Sequence, residues 1–377
     1  MRGRLVRIVQ LAHNPPLRSY SSCQASFPYF SHEDIGKLYE TKKEHYDQLT
    51  FSKNLPSTMR KQSETLSECV SMVRQPLVEV CSWLQTSSPS LPSLRVVLWG
   101  RFGTGKSMTL HQASQVAVEK GWVVVYLRTA MELTRKVAEV DMSTYCPGRI
   151  NDAVKATAIL NDFKTHNSHV WKKLSELKTT RAYEWTKKEQ TEEGKAITEM
   201  VEMGISAPFL ATDCVGGLFR ELRHHASRGD VNLLVAIDDA NSLWGKTLVK
   251  RADRKYAEAA DLSLVQHYRR LIKNDWNNGC VLLVADPKEK KDARDRITVP
   301  RHTPLELFGL DGFQAIEPFV PVETTLYKEK EIKAMHEYFV EKRWINSKEA
   351  KSDEGFAQLK HISAFNPYNF ERLCAFI

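Results

Sequence analysis

Cysteine is scarce in this chain of 377 residues, and what there is lacks the spacing that chemistry requires. Cys23, Cys69, Cys81, Cys146, Cys214, Cys280 and Cys374 form no C-x-x-C pair and have no histidines at matching intervals. That pattern indicates neither a zinc site nor a disulfide framework, and the expectation is buried thiols in a reducing compartment. No apolar run approaches the roughly eighteen residues that a bilayer-spanning helix needs, so no membrane span is expected. No internal repeat or low-complexity tract is present. Acidic residues and lysine are both missing from the first thirty-two positions, where Arg2, Arg4, Arg7, Arg18 and several serines stand instead. This is the composition of a mitochondrial transit peptide, with residues 3–12 able to place arginines beside an apolar helix face. Arg18-Ser19-Tyr20-Ser21 resembles a matrix-processing signal, so residues 1–20 are set aside as a transit peptide and the mature chain is expected in the mitochondrial matrix.

The rest is an ordinary globular composition, 42% hydrophobic, with a net charge of +8. The surplus of Lys and Arg suits a polyanionic partner, because clustered cations release condensed counterions from a phosphate backbone. Residues 21–90 read as an N-terminal extension of helices and connections without a sheet signal, in which Ser63 to Leu84 carries apolar residues at helical spacing. From Leu94 the pattern changes. Leu94–Trp99, Trp122–Leu127, Val231–Ile237 and Cys280–Ala285 are nearly unbroken apolar, β-branched runs, as strands buried on both faces must be. They predict an α/β fold with a parallel sheet flanked by helices. Ala315 to Val322 is expected at a sheet edge, since its two prolines cannot serve a central ladder. A core over 91–325, a helical insertion at about 130–228 and a C-terminal helical subdomain over 326–377 complete the expected organisation.

The chemistry concentrates at Gly100-Arg101-Phe102-Gly103-Thr104-Gly105-Lys106-Ser107, which fits G-x-x-x-x-G-K-[ST] between a predicted strand and a predicted helix. Glycines let backbone N–H groups close around phosphates, and the helix that follows points its positive end at the same anion. Gly100, Gly103, Thr104, Gly105, Lys106 and Ser107 are therefore the expected nucleotide-binding residues, with Lys106 on the β and γ phosphates and the Ser107 hydroxyl on Mg2+. Asp238 and Asp239 follow an apolar strand, the Walker B arrangement. Asp238 is the metal-side residue; Asp239 is the candidate catalytic position, one methylene shorter than the glutamate many such ATPases place there. Asp286, after the fourth strand, is a candidate sensor, with a turn-forming aspartate before Pro287 the competing reading. No Asn-Lys-x-Asp motif is present, so the residues leave guanine and adenine both open. Lys246, Lys250 and Arg251, together with Lys288, Lys290 and Lys291, lie in basic loops after strands and are candidate RNA contacts. Trp171 and Trp185, interleaved with lysines, are candidate stacking platforms, against the reading of a solvated helix face.

Taken together these residues resemble the death-associated protein family of the mitochondrial small ribosomal subunit, a P-loop group akin to the AAA ATPases. The likeness runs from roughly Lys53 to the C-terminus. It rests on the Walker A segment, the run Leu233 to Gly245, Leu271 to Trp276, Phe308 to Phe319, and the ending Asn366-Pro367 to Cys374. The resemblance implies a ribosomal protein of mitochondrial translation beside small-subunit rRNA and neighbouring ribosomal proteins, a cofactor of GTP/GDP or ATP with GTP favoured, Mg2+, weak hydrolysis at most, and a link to apoptosis. Carried over by position, it puts Gly103, Gly105, Lys106 and Ser107 on phosphate and metal and Asp238 in the Walker B. The family can have Gly where this chain has Asp239. The rival function is an active mitochondrial ATPase or GTPase that remodels a partner.

Overall fold

The computed structural model describes residues 25–137, 140–143, 146–187, 189–251, 253–287 and 302–377. The transit-peptide residues 1–20 and the candidate RNA contacts Lys288, Lys290 and Lys291 lie outside them.

Five strands form one parallel sheet: β1 (Leu94–Trp99), β2 (Val123–Leu127), β3 (Leu233–Ile237), β4 (Gly279–Val284) and β5 (Val320–Glu323), in the spatial order β5-β1-β4-β3-β2. Side chains alternate between faces, as strand geometry requires. Val97, Val123, Val125, Val235, Ile237 and Val281 point into one core; Val96, Leu98, Val124, Leu234, Leu282 and Val284 point into the other. Both faces are buried, which explains why the runs are uniformly apolar. β5 carries Pro321 and sits at the edge, where a missing N–H costs no ladder bond.

Several helices cover the sheet or prolong the chain around it. They are α1 (Ser57–Leu66), α2 (Gln75–Gln85), α3 (Lys106–Glu119), α4 (Ala153–His166), α5 (Ile197–Ser206), α6 (Pro208–Arg228), α7 (Ser263–Leu271), α8 (Pro304–Ile316), α9 (Glu329–Glu341), α10 (Asp353–Ser363) and α11 (Pro367–Cys374). α2 and α3 pack on the face bearing Val96 and Leu98, while α4 to α7 pack on the other. The expectation that 21–90 is an extension therefore needs correcting in two respects. Ser63 to Leu84 is not one helix: α1 stops at Ser67, which adopts a left-handed conformation (φ 56°), and Val70–Met72 then pairs antiparallel with Leu38–Glu40. α2 beyond it is a core helix of the sheet. A third core joins Leu38, Val70 and Met72 of this ribbon to Ile332, Tyr338, Phe339 and Phe370 of the C-terminal helices, so the two ends of the chain share one apolar cluster. The insertion also holds two short antiparallel ribbons, Asp141–Met142 with Ile150–Asn151 and Tyr183–Glu184 with Gln190–Thr191. No helix among the described residues is long and apolar enough to cross a membrane.

β2 is the other edge strand, and an exposed edge invites pairing with foreign chains. Here Asn167, fully buried, closes it: its Oδ1 accepts from Val124 N–H at 2.7 Å, and its Nδ2 donates to the Val124 carbonyl at 2.8 Å and to Phe163 O at 2.8 Å. Replacing Asn167 by Leu keeps the volume and leaves the Val124 N–H and C=O buried without partners. The expected loss is about 2–4 kcal/mol, read as a shift in the urea midpoint at unchanged slope; an unshifted midpoint would refute the edge-closing role.

Candidate functional site

The site forms where β1 ends and α3 begins. Gly100, Gly103 and Gly105 all take positive φ (138°, 80° and 101°), the conformations that let a short loop turn its backbone inward. At Gly100 a Cβ would meet the Thr324 carbonyl at 2.5 Å, and at Gly103 it would meet Asn366 Oδ1 at 2.5 Å; at Gly105 its nearest neighbour would be Arg74 Nη1 at 3.6 Å. The first two glycines are thus required by packing, the third by conformation. No side chain caps the N-terminus of α3, a fourteen-residue helix, so its first-turn N–H groups are available to an anion. Lys106 is buried, and its ammonium donates to the carbonyls of Gly100 (3.0 Å) and Arg101 (2.9 Å). The Thr104 hydroxyl is held at 2.7 Å from that of Thr324 and donates to Arg101 O at 2.8 Å. Thr104 is thus a brace of the loop through its side chain, and only its N–H remains suited to phosphate.

Asp238, Asp239 and Asp286 are all buried at the carboxyl ends of β3 and β4. β4 lies between β1 and β3, and the register that pairs Val284 with Leu98 carries Asp286 to the level of Gly100. Asn241 fixes that position, donating from Nδ2 to Asp286 O (2.9 Å) and accepting from Asp286 N–H at Oδ1 (3.1 Å). Asp286 lines the same cavity as the P-loop, as a sensor position requires. Asp238 accepts from Asp239 N–H at 2.9 Å, and its backbone is knitted to β2 through Leu127 O and Ala130 N–H. Asp239 has left-handed geometry (φ 51°), precedes the short helix Ala240–Trp244, and accepts from the Thr129 hydroxyl at 2.5 Å. Among the described residues, no three His, Cys, Asp or Glu side chains converge as a self-sufficient metal site. The donor set of Ser107 and Asp238 is one that suits Mg2+, which is bound through one or two protein oxygens plus substrate phosphates.

Beside the loop lies a cavity of about 330 Å3 walled by three parts of the chain. Pro56, Met59 and Met72 come from the start of α1 and the ribbon, Lys106 to Met108 from α3, Tyr327 from the segment before α9, and Phe339, Tyr368 and Phe370 from the C-terminal helices. Arg74, which carries no motif of its own, ties these parts together. It donates to Thr104 O (2.7 Å), Thr325 O (3.0 Å) and Leu326 O (3.1 Å), pairs with buried Glu331 at 3.3 Å, and covers the Tyr327 ring at 4.9 Å. α11 completes the wall. Asn366 caps it, donates from Nδ2 to Phe102 O at 2.8 Å, and Tyr368 N–H donates to Gly103 O at 3.1 Å, with Phe102 and Tyr368 edge to face at 5.2 Å. No sequence signal marks Arg74, since its partners lie up to 257 positions away; Asn366-Pro367 is visible in the sequence only as a helix start.

The candidate RNA contacts do not gather at this cavity. Lys246 is exposed, Lys250 covers the Tyr256 ring at 5.7 Å, and Arg251 is engaged by Asp261. Trp171 is half-buried, against Phe163 on one side and Lys164 on another, and Trp185 stacks on Tyr183 at 5.3 Å while its Nε1 donates to Thr191. Both rings are thus already in use as packing.

Among known proteins, the family model described as mitochondrial ribosomal death-associated protein 3 matches residues 71–373. The small ribosomal subunit protein mS29 of Mus musculus is 34% identical over 325 residues, 86% of this chain and 81% of its own. That of Bos taurus is 33% identical over 329 residues, 87% and 81% respectively. AMPPCP-bound DnaA from Aquifex aeolicus overlays 79% of this chain and 58% of its own at 13% identity, with a TM-score of 0.34, too loose to carry argument.

Gly103→Ala places a methyl on Asn366 and Tyr368 at a strained φ and should cost about 1–3 kcal/mol. Hydrogen exchange should quicken in residues 366–377 while β1 to β4 stay protected. Gly105→Ala, strained but unobstructed, should leave α11 protected; equal effects from the two would sink the docking account.

Proposed function

The chain belongs to the mitochondrial ribosomal death-associated protein 3 family, and from that premise we propose that it is a component of the small subunit of the mitochondrial ribosome with a nucleotide built into its P-loop. The ligand is a purine nucleoside triphosphate, GTP by resemblance. The observation that carries this reading is the union of an uncapped helix N-terminus, buried Lys106 and an apolar cavity walled by both ends of the chain. Phosphates suit the first two, and a base suits the third.

Gly103, Gly105 and the first turn of α3 supply N–H donors, and Lys106 supplies a point charge once its ammonium exchanges loop carbonyls for phosphate oxygens. Mg2+, when bound, neutralises charge across the phosphates. Ser107 and Asp238 are the residues that would hold it, and Asp286 faces the same space. A ligand touching three segments at once stabilises the native state in proportion to its saturation, with no turnover required. The alternative of an active, partner-remodelling NTPase needs a free base. Thr129 instead holds Asp239 in the turn that starts the next helix. RNA and neighbouring ribosomal proteins are the partners, with Lys246 and Lys250 the exposed cations offered to them. The cell-death link has no counterpart in the chemistry of this site.

Gradient sedimentation of mitochondrial lysate tests the reading directly. The protein should migrate with the small subunit and yield a stoichiometric nucleotide on extraction; a light, nucleotide-cycling species would make it a free NTPase. Lys106→Ala should weaken nucleotide binding about 10- to 100-fold, the worth of a charge-assisted contact, and unchanged affinity would overturn the P-loop assignment. A general base contributes about 10²–10⁴ in rate. Asp239→Asn should therefore leave single-turnover hydrolysis unchanged if Asp239 holds the turn, and a loss of that size would make it catalytic.

A further inference from the structure

The cavity wall opposite the P-loop carries polar groups that the phosphate chemistry does not use. Thr58 and Gln62 stand four residues apart on α1, hence on one helix face, and both line the cavity. Glu371 follows Tyr368 by three residues on α11, so it lies on the same face about 4.5 Å further along the helix, and it lines the cavity too. Tyr368 is the residue that touches Gly103; Glu371 is one turn beyond it, bonded to the Thr58 side chain. Gln62 is 2% exposed, and its Oε1 has no hydrogen-bond partner. Between these groups and the loop the lining is flat and apolar: Met59, Tyr327, Met335, Phe339 and Phe370. A buried polar atom without a partner in an otherwise apolar, ligand-sized cavity is an unmade contact.

We propose that Glu371, with Gln62 beside it, reads the Watson–Crick edge of the purine and makes the site select guanine. The inference rests on the nucleotide reading above. Guanine presents N1–H and N2–H2 side by side, two donors that match the two oxygens of one carboxylate, and Gln62 Oε1 can accept the remaining N2 proton. Adenine presents an acceptor at N1, which faces a carboxylate lone pair and stays unpaired. A site built to bond a donor rejects the analogue that lacks it, because its own buried groups are left without partners.

Protonation reverses that preference. A neutral carboxyl donates to adenine N1 while accepting from N6–H2, so the acid form of Glu371 tolerates ATP. Burial pushes Glu371 up to about 7. The other charged or titratable groups at the cavity are Arg74, Lys106, Asp286, Tyr327 and Tyr368, with the Cys374 thiol behind Glu371 on its own helix. Arg74 is committed to Glu331 and three carbonyls, and Lys106 to the loop, so neither is the counterion of Glu371. Selectivity for guanine should accordingly rise with pH through about 7.

The test is equilibrium binding of the Mg2+ complexes of GTP, ITP and ATP to the full chain from about pH 6 to 8.5, spanning the range in which a raised carboxyl titrates. The GTP-to-ATP affinity ratio is read at each pH, so that titration of the phosphates cancels. At the alkaline end GTP should bind about tenfold or more tighter than ATP, the worth of one bidentate base contact, and ITP, which lacks the 2-amino group, should fall between. The ratio should shrink as pH falls through about 7, and Glu371→Gln, which can pair with either base, should flatten it at every pH while leaving ATP affinity in place. Equal affinities for GTP and ATP at the alkaline end, or a preference that survives Glu371→Gln, would overturn the assignment. The pH series uses the unaltered chain, so a variant that fails to fold does not shelter the proposal. Failure to bind any of the three would instead overturn the P-loop reading, an outcome distinct from loss of selectivity alone.

Discussion

At Gly103 the backbone turns with positive φ and its carbonyl accepts from Tyr368 N–H, while Asn366 reaches the carbonyl of Phe102. These bonds join the loop after the first strand of the sheet to the last helix of the chain. Without them the cavity would lack its third wall, because Tyr368, Phe370 and Glu371 all reach it from α11. The same junction explains why the loop tolerates no side chain at Gly103, where a Cβ would overlap Asn366. Arg74 repeats the logic from the other side, bonding the loop at Thr104 and the C-terminal segment at Thr325, Leu326 and Glu331. A half-buried guanidinium is costly unless its inward donors are used, and here the planar fork spreads across partners from two segments.

On the proposed reading, this arrangement would make nucleotide binding and the docking of the C-terminal helices one equilibrium. The ribbon Leu38–Glu40 with Val70–Met72 shares its apolar cluster with α9 and α11 and not with the sheet alone. The first and last parts of the chain therefore close over the loop as a unit, and anything that fills the cavity contacts that unit and the sheet together. Such a ligand adds its binding free energy to the docked state only, which is the thermodynamic condition for a structural nucleotide.

What was legible in the sequence, and what was not, follows from the range of the interactions. The buried strands announced themselves because burial on both faces forces every position of Val123–Leu127 or Leu233–Ile237 to be apolar, a local demand. The P-loop was legible for the same reason: its donors, lysine and hydroxyl are contiguous. The break in Ser63 to Leu84 was hidden because apolar spacing continues through Ser67 into the ribbon, and what stops the helix is pairing with Leu38–Glu40, some thirty residues earlier. The position of β4 between β1 and β3 leaves no local trace either. The cavity wall opposite the P-loop was illegible in principle: Gln62 and Glu371 are ordinary polar residues on two helices, and only the fold brings them to one cavity. Local partners of the basic runs were hidden too: the charge of Arg251 is engaged by Asp261 ten residues on, and the Trp171 and Trp185 faces pack on Phe163 and Tyr183.

On the proposed nucleotide reading, the carboxylates at the strand ends suit retention of a ligand better than its turnover. Asp286 is pinned through its backbone by Asn241, and the Asp238 backbone is tied to Leu127 of β2 and to Ala130 just beyond it, so the backbone that presents each carboxyl is fixed near the P-loop. Preorganised carboxylates of this kind would hold a Mg2+–nucleotide complex with little reorganisation. Turnover asks for something further, a base that can swing to a water and take its proton. At Asp239 the left-handed backbone and the Thr129 hydroxyl fix the carboxylate to the turn before Ala240–Trp244. Moving it would break that bond, and the backbone that follows directly carries Asn241, whose side chain positions Asp286. On the proposed reading, the framework that would secure a phosphate chain is thereby one that would slow its hydrolysis.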